Sequence, residues 1–186
     1  MFILYALLIG VIIGFLVGGR PAGLATLRIR WGAVIVACLL VQVVLFSDQV
    51  TSWIGEVGAV IYVVSSATVA VAVLGNHRIT GMPVIVLGAA SNLAAIVANG
   101  GYMPASPEAL EALGKTEPVV YSNSTVVPDP ALAPLTDVFA LPAWLPFANI
   151  FSVGDLLIGA GVAIVIVVAM RRPGAPTLST GPLPAL

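Results

Sequence analysis

The chain has 186 residues, of which 60% are hydrophobic and only 8% are charged, and its mean hydropathy is +1.12. Soluble domains carry about 25% charged residues to keep their surface in water, so this composition excludes an ordinary soluble fold. Seven basic and eight acidic residues give a net charge of −1, which is too small and balanced for a nucleic-acid-binding surface. One cysteine and one histidine exclude an internal disulfide, a paired-histidine haem and a histidine-rich metal site, so we expect no metal and no cofactor.

Five apolar runs, each bounded by glycine, proline or charged residues, dominate the chain. Runs of roughly 17 to 21 residues cross about 30 Å of hydrocarbon when they are helical, and only a helix satisfies its own backbone there. The sequence therefore predicts an all-α integral membrane protein with five transmembrane helices in a lipid bilayer. These helices cover residues 2–17, 31–46, 57–74, 82–98 and 150–170.

The charged residues between these runs predict the orientation of the helices. Lys and Arg in short loops stay on the cytoplasmic side, and six of the seven basic residues share one side of the predicted topology. The opposite side receives most of the acidic residues. We therefore expect the amino terminus outside and the carboxyl terminus inside, with the first run retained as a helix because no basic residue precedes it. The six residues are Arg20, Arg28, Arg30, Arg78, Arg171 and Arg172.

The segment 99–149, between the fourth and fifth runs, is too long for a simple connector, so we expect an ordered extracytoplasmic cap. Ser106 as N-cap, Pro107 in the first turn and Gly114 after the end predict a short helix over 108–113. Residues 119–121 and 125–127 suggest a small hairpin, and the apolar stretch 139–147 is expected to lie across the helix ends. The chain thus divides into helices one to four (1–98), the cap (99–149), helix five (150–172) and a disordered cytoplasmic tail (173–186).

Asp155 is the first candidate functional residue, because a carboxylate at the start of an apolar helix needs a partner or a water-filled cavity. Either Asp155 or Ser152 could cap the last helix, where the positive end of the helix dipole favours an acid. The alternatives are a ligand-binding, proton-transferring or catalytic role, for which Asp137 is the nearest second acid.

Asn92 and Asn99 form a second group, because a separation of seven residues places them within about 20° on one helical face. They either bond to a neighbouring helix or line a ligand site. Gly100, Gly101 and Tyr102 follow, and the two glycines permit a backbone whose exposed N–H groups could bind a carbonyl or an anion. A plain turn is the alternative for these three residues.

Gly10, Gly14 and Gly18 recur every four residues on the first helix, which permits close approach of another helix. We expect a neighbour on this face, and a separate membrane protein is one candidate for it.

Three motifs together resemble an uncharacterised family of small bacterial multi-spanning membrane proteins, known as a domain of unknown function. They are Gly18-Gly19-Arg20, the run from Asn99 to Pro104, and Phe151-Ser152-Val153-Gly154-Asp155. The resemblance implies a multi-pass protein of the bacterial cell membrane and brings no established activity.

The residues from Pro146 to Asp155 also resemble the entry to the last helix of signal peptidase II, where Phe-Asn-x-Ala-Asp precedes an apolar span. That resemblance implies that Asp155 matches a catalytic aspartate. An aspartyl peptidase needs two carboxylates that share a proton, and Asp137 would be the second. The family's Asn-x-x-Asp-Arg motif is absent from this chain, and the family has four helices rather than five.

The function that we expect is an accessory or regulatory component of a membrane complex, because the chain lacks a full catalytic set. One alternative is an intramembrane aspartyl peptidase-like or lipid-handling enzyme that uses Asp155 with Asp137. Another is a small-molecule carrier lined by Asn92, Asn99 and Asp155.

Overall fold

All five apolar runs are helical in the computed structural model, which describes residues 2–47, 50, 53–55, 57–114, 124–125 and 127–172. The all-α fold class is therefore confirmed. Among the described residues, the helices Val57–Leu74 and Val153–Met170 are long and apolar enough to cross a membrane, and the other three apolar helices have 14 to 17 residues. The α-helices are α1 (Phe2–Leu16), α2 (Gly32–Leu45), α3 (Val57–Leu74), α4 (Met82–Ala98), the short α5 (Pro107–Ala112) and α6 (Val153–Met170). Short 3₁₀ helices cover Pro21–Thr26 and Ala133–Leu135.

The last helix begins three residues later than the predicted boundary at residue 150. Ile150–Phe151 instead form a strand that pairs antiparallel with Phe139–Ala140, and Ser152 then caps the helix. The boundary prediction was wrong because the apolar strand and the apolar helix adjoin without a polar break that hydropathy could detect.

The five long helices lie side by side in the order α2, α3, α4, α6, α1, each packed mainly on its neighbours in this row. The last helix in sequence is therefore the fourth in the row, between α1 and α4. Buried side chains of α3, α4 and α6 form the largest apolar cluster, which comprises Val73, Met82, Ile85 and Val165. A second cluster, Ala95, Ile96 and Met103, lies near the other end of α4.

The predicted face of α1 packs against α6 of the same chain. A Cβ atom at Gly10 would lie 2.9 Å from Cα of Ala163, and one at Gly14 would lie 2.4 Å from Sδ of Met170. Gly18 does not belong to this contact, since nothing lies within 4 Å of its Cβ position and its φ is +78°. The chain's own last helix thus covers Gly10 and Gly14, two of the three positions at which a separate partner was considered.

The chain has a basic end and a capped end. The basic end comprises residues 18–31, 75–81 and 171–172, and Arg20 N–H donates to the carbonyl of Met170 there, at 2.7 Å. The capped end comprises residues 99–114 and 127–152. The loops predicted to share one side therefore meet at one end of the row.

The capped end is held by two small sheets. Strand β1 (Met103–Pro104) pairs parallel with β2 (Ser124–Thr125), and β3 (Phe139–Ala140) pairs antiparallel with β4 (Ile150–Phe151). The short helix α5 forms where the sequence predicts it, because the Ser106 side chain accepts a hydrogen bond from Ala109 N–H at 3.0 Å. Ser124–Thr125, which overlaps the second strand of the predicted hairpin, pairs with β1. Residues 119–121 and the tail 173–186 lie outside the described residues.

Aromatic contacts attach the segment 139–147 to the long helices. The ring of Phe151 stacks on Phe139, at 5.5 Å between centroids, and on Phe2 of α1, at 4.5 Å. The Tyr5 hydroxyl of α1 donates to the carbonyl of Pro146. This segment thus lies against the ends of α1 and α6, while Trp144 stays 80% exposed.

Candidate functional site

Two glycines bring α4 and α6 into backbone contact at the point where the polar residues meet. A Cβ atom at Gly88 of α4 would lie 2.4 Å from the carbonyl oxygen of Gly154, and one at Gly154 would lie 1.9 Å from Oδ1 of Asn92. No side chain fits at either position, so the two helices approach more closely than larger residues allow. This approach places Asn92 directly against the first turn of α6.

The first turn of α6 is closed by a capping box. Ser152 Oγ accepts from the backbone N–H of Asp155 at 3.0 Å, and Asp155 Oδ2 accepts from the backbone N–H of Ser152 at 3.2 Å. Both bonds satisfy N–H groups that the helix itself leaves without a partner, and the carboxylate also faces the positive end of the helix dipole. The capping role considered for these two residues is therefore present in the structure.

Asn92 completes this arrangement from the neighbouring helix. Its Nδ2 donates to Asp155 Oδ1 at 2.8 Å, and its Oδ1 accepts from the Ser152 hydroxyl at 2.8 Å. Ser152 is fully buried and Asp155 is partly buried. The three side chains thus form a closed hydrogen-bonded triad across the α4–α6 contact. A triad of this kind fixes the register of two helices and places a carboxylate at the start of α6, with each carboxylate oxygen accepting a hydrogen bond.

Asn99 lies two turns further along α4 and binds a different part of the chain. Its Nδ2 donates to the carbonyls of Ala95 and Ala131, at 2.8 Å each, and its Oδ1 accepts from Ala131 N–H at 2.9 Å. The side chain therefore pairs with Ala131 as a backbone strand would. Asn92 and Asn99 share a helical face, as predicted, but the structure gives them separate partners rather than one lining.

Gly100 and Gly101 form the turn that ends α4. Gly101 N–H donates to the carbonyl of Ile96 at 2.8 Å and Gly100 N–H to that of Val97 at 3.3 Å, with φ values of +93° and +72°. The predicted cradle of exposed N–H groups is thus not formed, because the helix end uses both donors. A Cβ atom at Gly101 would lie 2.7 Å from Cβ of Ala59, so this turn also packs on α3. Tyr102, which follows, is partly buried.

Asp137 is 5% exposed and is held by the capped end. Its backbone N–H donates to the carbonyl of Pro104 at 2.9 Å, and its carbonyl accepts from Ser106 N–H at 3.0 Å. It precedes β3 by two residues, and β3 pairs with the strand that leads into α6. The hydrogen bonds described for the Asp155 carboxylate come from Asn92 and Ser152. Among the described residues, no three His, Cys, Asp or Glu side chains are grouped so that they could hold a metal ion.

Asn76 is a structural residue that the sequence analysis missed. It is 6% exposed, and its Nδ2 donates to the carbonyls of Arg30 and Ala72 at 2.8 Å each, while its Oδ1 accepts from Arg30 N–H at 2.8 Å. This pattern repeats that of Asn99 at the opposite end of the row. The position of each asparagine at a helix end is the signal that could have indicated this structural role for both Asn76 and Asn99.

Comparison with known proteins gives a family and no activity. No curated protein and no solved structure matches the chain. The model of a family of unknown function, DUF5317, matches residues 26–167, a range that contains the triad and both asparagines at the helix ends. Since this match covers most of the 186 residues, the chain belongs to the DUF5317 family.

Proposed function

We propose that the chain is a multi-pass protein of a bacterial cell membrane, with five spans, the amino terminus outside and the basic end in the cytoplasm. This membrane placement is supported by large apolar side chains that are exposed on the shorter helices as well as on α3 and α6. On α1, Leu8 and Ile9 are 56% and 51% exposed, and on α2, Leu40 and Val43 are 59% and 67% exposed. Helices α1 and α2 lie at the two ends of the row, and exposed side chains of this kind form apolar surfaces that water disfavours and lipid tails accept.

Within that membrane, the chain acts as a non-catalytic accessory component of a larger complex. The observation that carries this proposal is the triad. Asp155 is the strongest candidate for a catalytic acid, but its carboxylate accepts hydrogen bonds from the backbone N–H of Ser152 in the helix cap and from Asn92. A catalytic carboxylate would need a free edge toward a substrate and a second acid within reach of the same proton.

A partner needs a surface that the chain does not use itself. The glycine face of α1 is covered by α6, whereas the opposite face of α1, with Leu8, and the capped end, with Trp144, are open. Photo-crosslinking residues placed at Leu8 and at Trp144 test these two surfaces in the native membrane. Ile96, which is 2% exposed, is the matched control and should give no crosslink.

The accessory role predicts one reproducible protein crosslinked from Leu8 or Trp144, which also co-migrates with the chain on a native gel. Asp155→Asn should leave the crosslink and the protein level unchanged, since the variant keeps an oxygen for the cap. Migration as a monomer with no crosslink at either site would refute the role. A folded Asp155→Asn protein that loses a cellular activity would refute the non-catalytic assignment.

A second candidate is the aspartyl peptidase-like or lipid-handling enzyme. One observation favours it: the buried Asp137 precedes β3, and the partner strand of β3 leads into the helix that carries Asp155. It predicts that Asp137→Asn and Asp155→Asn each abolish the same cleavage while the protein stays folded. The carrier alternative has less support, because Asn92 and Asn99 bind Asp155 and Ala131 instead of facing one path.

A further inference from the structure

A long apolar groove runs between α2 and α3. Three open cavities of about 530, 310 and 310 Å³ lie along it, and neighbouring cavities share lining residues. Val64 and Thr68 line both the first and the second cavity, while Val41 and Ile61 line both the second and the third. The groove begins at the Trp31 ring at the basic end and reaches Leu45 at the other end of α2.

The groove opens at its basic end beside a cationic side chain. The guanidinium carbon of Arg30 lies 4.3 Å from the centre of the Trp31 ring, and that ring lines the first cavity. The backbone of Arg30 is fixed by the two hydrogen bonds to Asn76, so the position of this residue does not depend on its own charge. The apolar groove thus ends beside a positive charge whose position is set by the fold.

The surroundings of Arg30 strengthen this positive charge. Residues 18–31, 75–81 and 171–172, which form the basic end, hold six of the seven basic residues of the chain and no Asp or Glu. The charge complement of this end is therefore an anion that comes from outside the chain. An anionic lipid headgroup supplies one, and attraction of this kind contributes about 1 kcal/mol for each Lys or Arg near the surface.

The dimensions of the groove agree with one lipid chain. From Trp31 to Val41, helix α2 rises about 15 Å at 1.5 Å per residue, which is half of a hydrocarbon core of about 30 Å. A lipid of the leaflet at the basic end can therefore extend one tail along the groove from Trp31 while its headgroup stays at the surface. Trp31 precedes the first residue of α2, and Trp is enriched at the ends of membrane-spanning helices, at the level of the headgroups.

We propose that the α2–α3 groove binds one anionic phospholipid, with an acyl chain along the groove from Trp31 to Val41 and the headgroup phosphate beside Arg30. This proposal rests on the proposed membrane placement of the chain. It is independent of the accessory role and of the acids at the capped end.

The test is native mass spectrometry of the full chain in mild detergent, mixed with equal amounts of phosphatidylglycerol and phosphatidylcholine that carry identical acyl chains. Wild type should retain one phosphatidylglycerol with a preference of about fivefold, which corresponds to roughly 1 kcal/mol. Arg30→Gln should abolish the preference, and Arg30→Lys should keep it. Arg20→Gln, at an exposed arginine of the same end that does not line the groove, is the control and should lower the preference less than Arg30→Gln does.

A pair of valines tests the groove itself. Val64 lines two of the cavities and Val43 lines none of the three, although they are 59% and 67% exposed. Val64→Trp should fill the groove and remove most of the bound lipid, whereas Val43→Trp should retain it. Both residues are largely exposed, so neither change disturbs a buried contact.

Three results would overturn the proposal: equal retention of the two lipids by wild type, equal retention by the two tryptophan variants, or a second copy of the chain seated in the groove. Extraction of native membranes with alkaline carbonate separates this failure from failure of the membrane placement. A chain released by carbonate contradicts the placement. A chain that stays in the membrane and shows no lipid preference contradicts only the lipid site.

Discussion

The helices α1, α6 and α4 are held together differently from α2 and α3. In the first group, backbone approaches backbone, because Gly10, Gly88, Gly154 and Gly161 leave no room for a Cβ atom at the contact. In the second group, the helices contact each other through side chains. Gln42 donates hydrogen bonds to Ser65 and Ser66, and the apolar groove lies along the contact.

This difference shows two ways to join helices, and in the proposed membrane placement neither depends on expelling water from the contact. Small residues let dispersion forces act between whole backbones, while a polar side chain gives only about 0.6 to 2 kcal/mol per contact and tolerates gaps. We therefore expect the α1–α6–α4 part to be rigid and intolerant of substitution. The α2–α3 part should be tolerant and able to take up a ligand.

The largest effect should follow from adding one methyl group to the rigid part. Gly88→Ala places a Cβ atom 2.4 Å from the carbonyl of Gly154, so the helices must separate, at a cost of about 3 kcal/mol. Gly32→Ala is the control on α2, because its Cβ would meet Ile29 only at 3.8 Å. Reversible unfolding by SDS titration should show the control to be neutral or slightly stabilised. Equal losses in both variants would contradict the comparison.

The triad should give the next largest effect. Asn92→Leu removes the donor to Asp155 and the acceptor of the Ser152 hydroxyl, which leaves buried groups unsatisfied and costs about 2 kcal/mol. Asp155→Asn keeps an oxygen for the Ser152 N–H, and rotation of the Asn92 amide by about 180° lets its oxygen accept from the new amide while its nitrogen donates to Ser152 Oγ, so the cost should be no more than about 1 kcal/mol. The same titration measures both. A larger loss in Asp155→Asn than in Asn92→Leu would show that the charge, rather than the hydrogen bonds, stabilises this contact.

Removal of the side chain that attaches the entry of α2 to the end of α3 should give a smaller, local effect. Asn76→Ala loses three hydrogen bonds and should cost about 1.5 kcal/mol, with faster hydrogen exchange at the Arg30 amide. Asn99→Ala is the matched change at the opposite end and should accelerate exchange at Ala131 instead. Exchange that rises throughout the chain in either variant would indicate global rather than local loosening.

The smallest effect is expected within the α2–α3 contact. Gln42→Leu replaces hydrogen bonds to Ser65 and Ser66 by an apolar contact, and we expect a change within about 0.6 kcal/mol. SDS titration and thermal unfolding in detergent check this value. A loss as large as that of Gly88→Ala would mean that the α2–α3 contact is as demanding as the glycine contact.

Hydropathy and glycine spacing predicted the helices well, because both depend on short stretches of chain. The helical state of the five runs, the short helix capped by Ser106 and the neighbour on the Gly10 and Gly14 face all follow from local signals. The start of α6 and the partner of Ser124–Thr125 did not, because each is decided by pairing with a distant strand.

The candidate site was predicted in its members and not in its connections. The sequence identified Asn92, Ser152 and Asp155 individually. Nothing in it indicates that Asn92 lies beside Ser152 and Asp155, because Asn92 and Ser152 are 60 positions apart. The capping box was predictable because its residues are three positions apart. Asn92 was linked instead to Asn99 through helical periodicity, which shows a shared face but not what covers it.

The order of the row also determines when the protein can be completed during synthesis. Helix α6 emerges from the ribosome last, yet it occupies a place between α1 and α4, which were made earlier. Until then, the glycine surfaces of both older helices have no intramolecular counterpart. A chain that stops before residue 153 therefore leaves the glycine surfaces of α1 and α4 uncovered, and the formation of α6 covers both in one step.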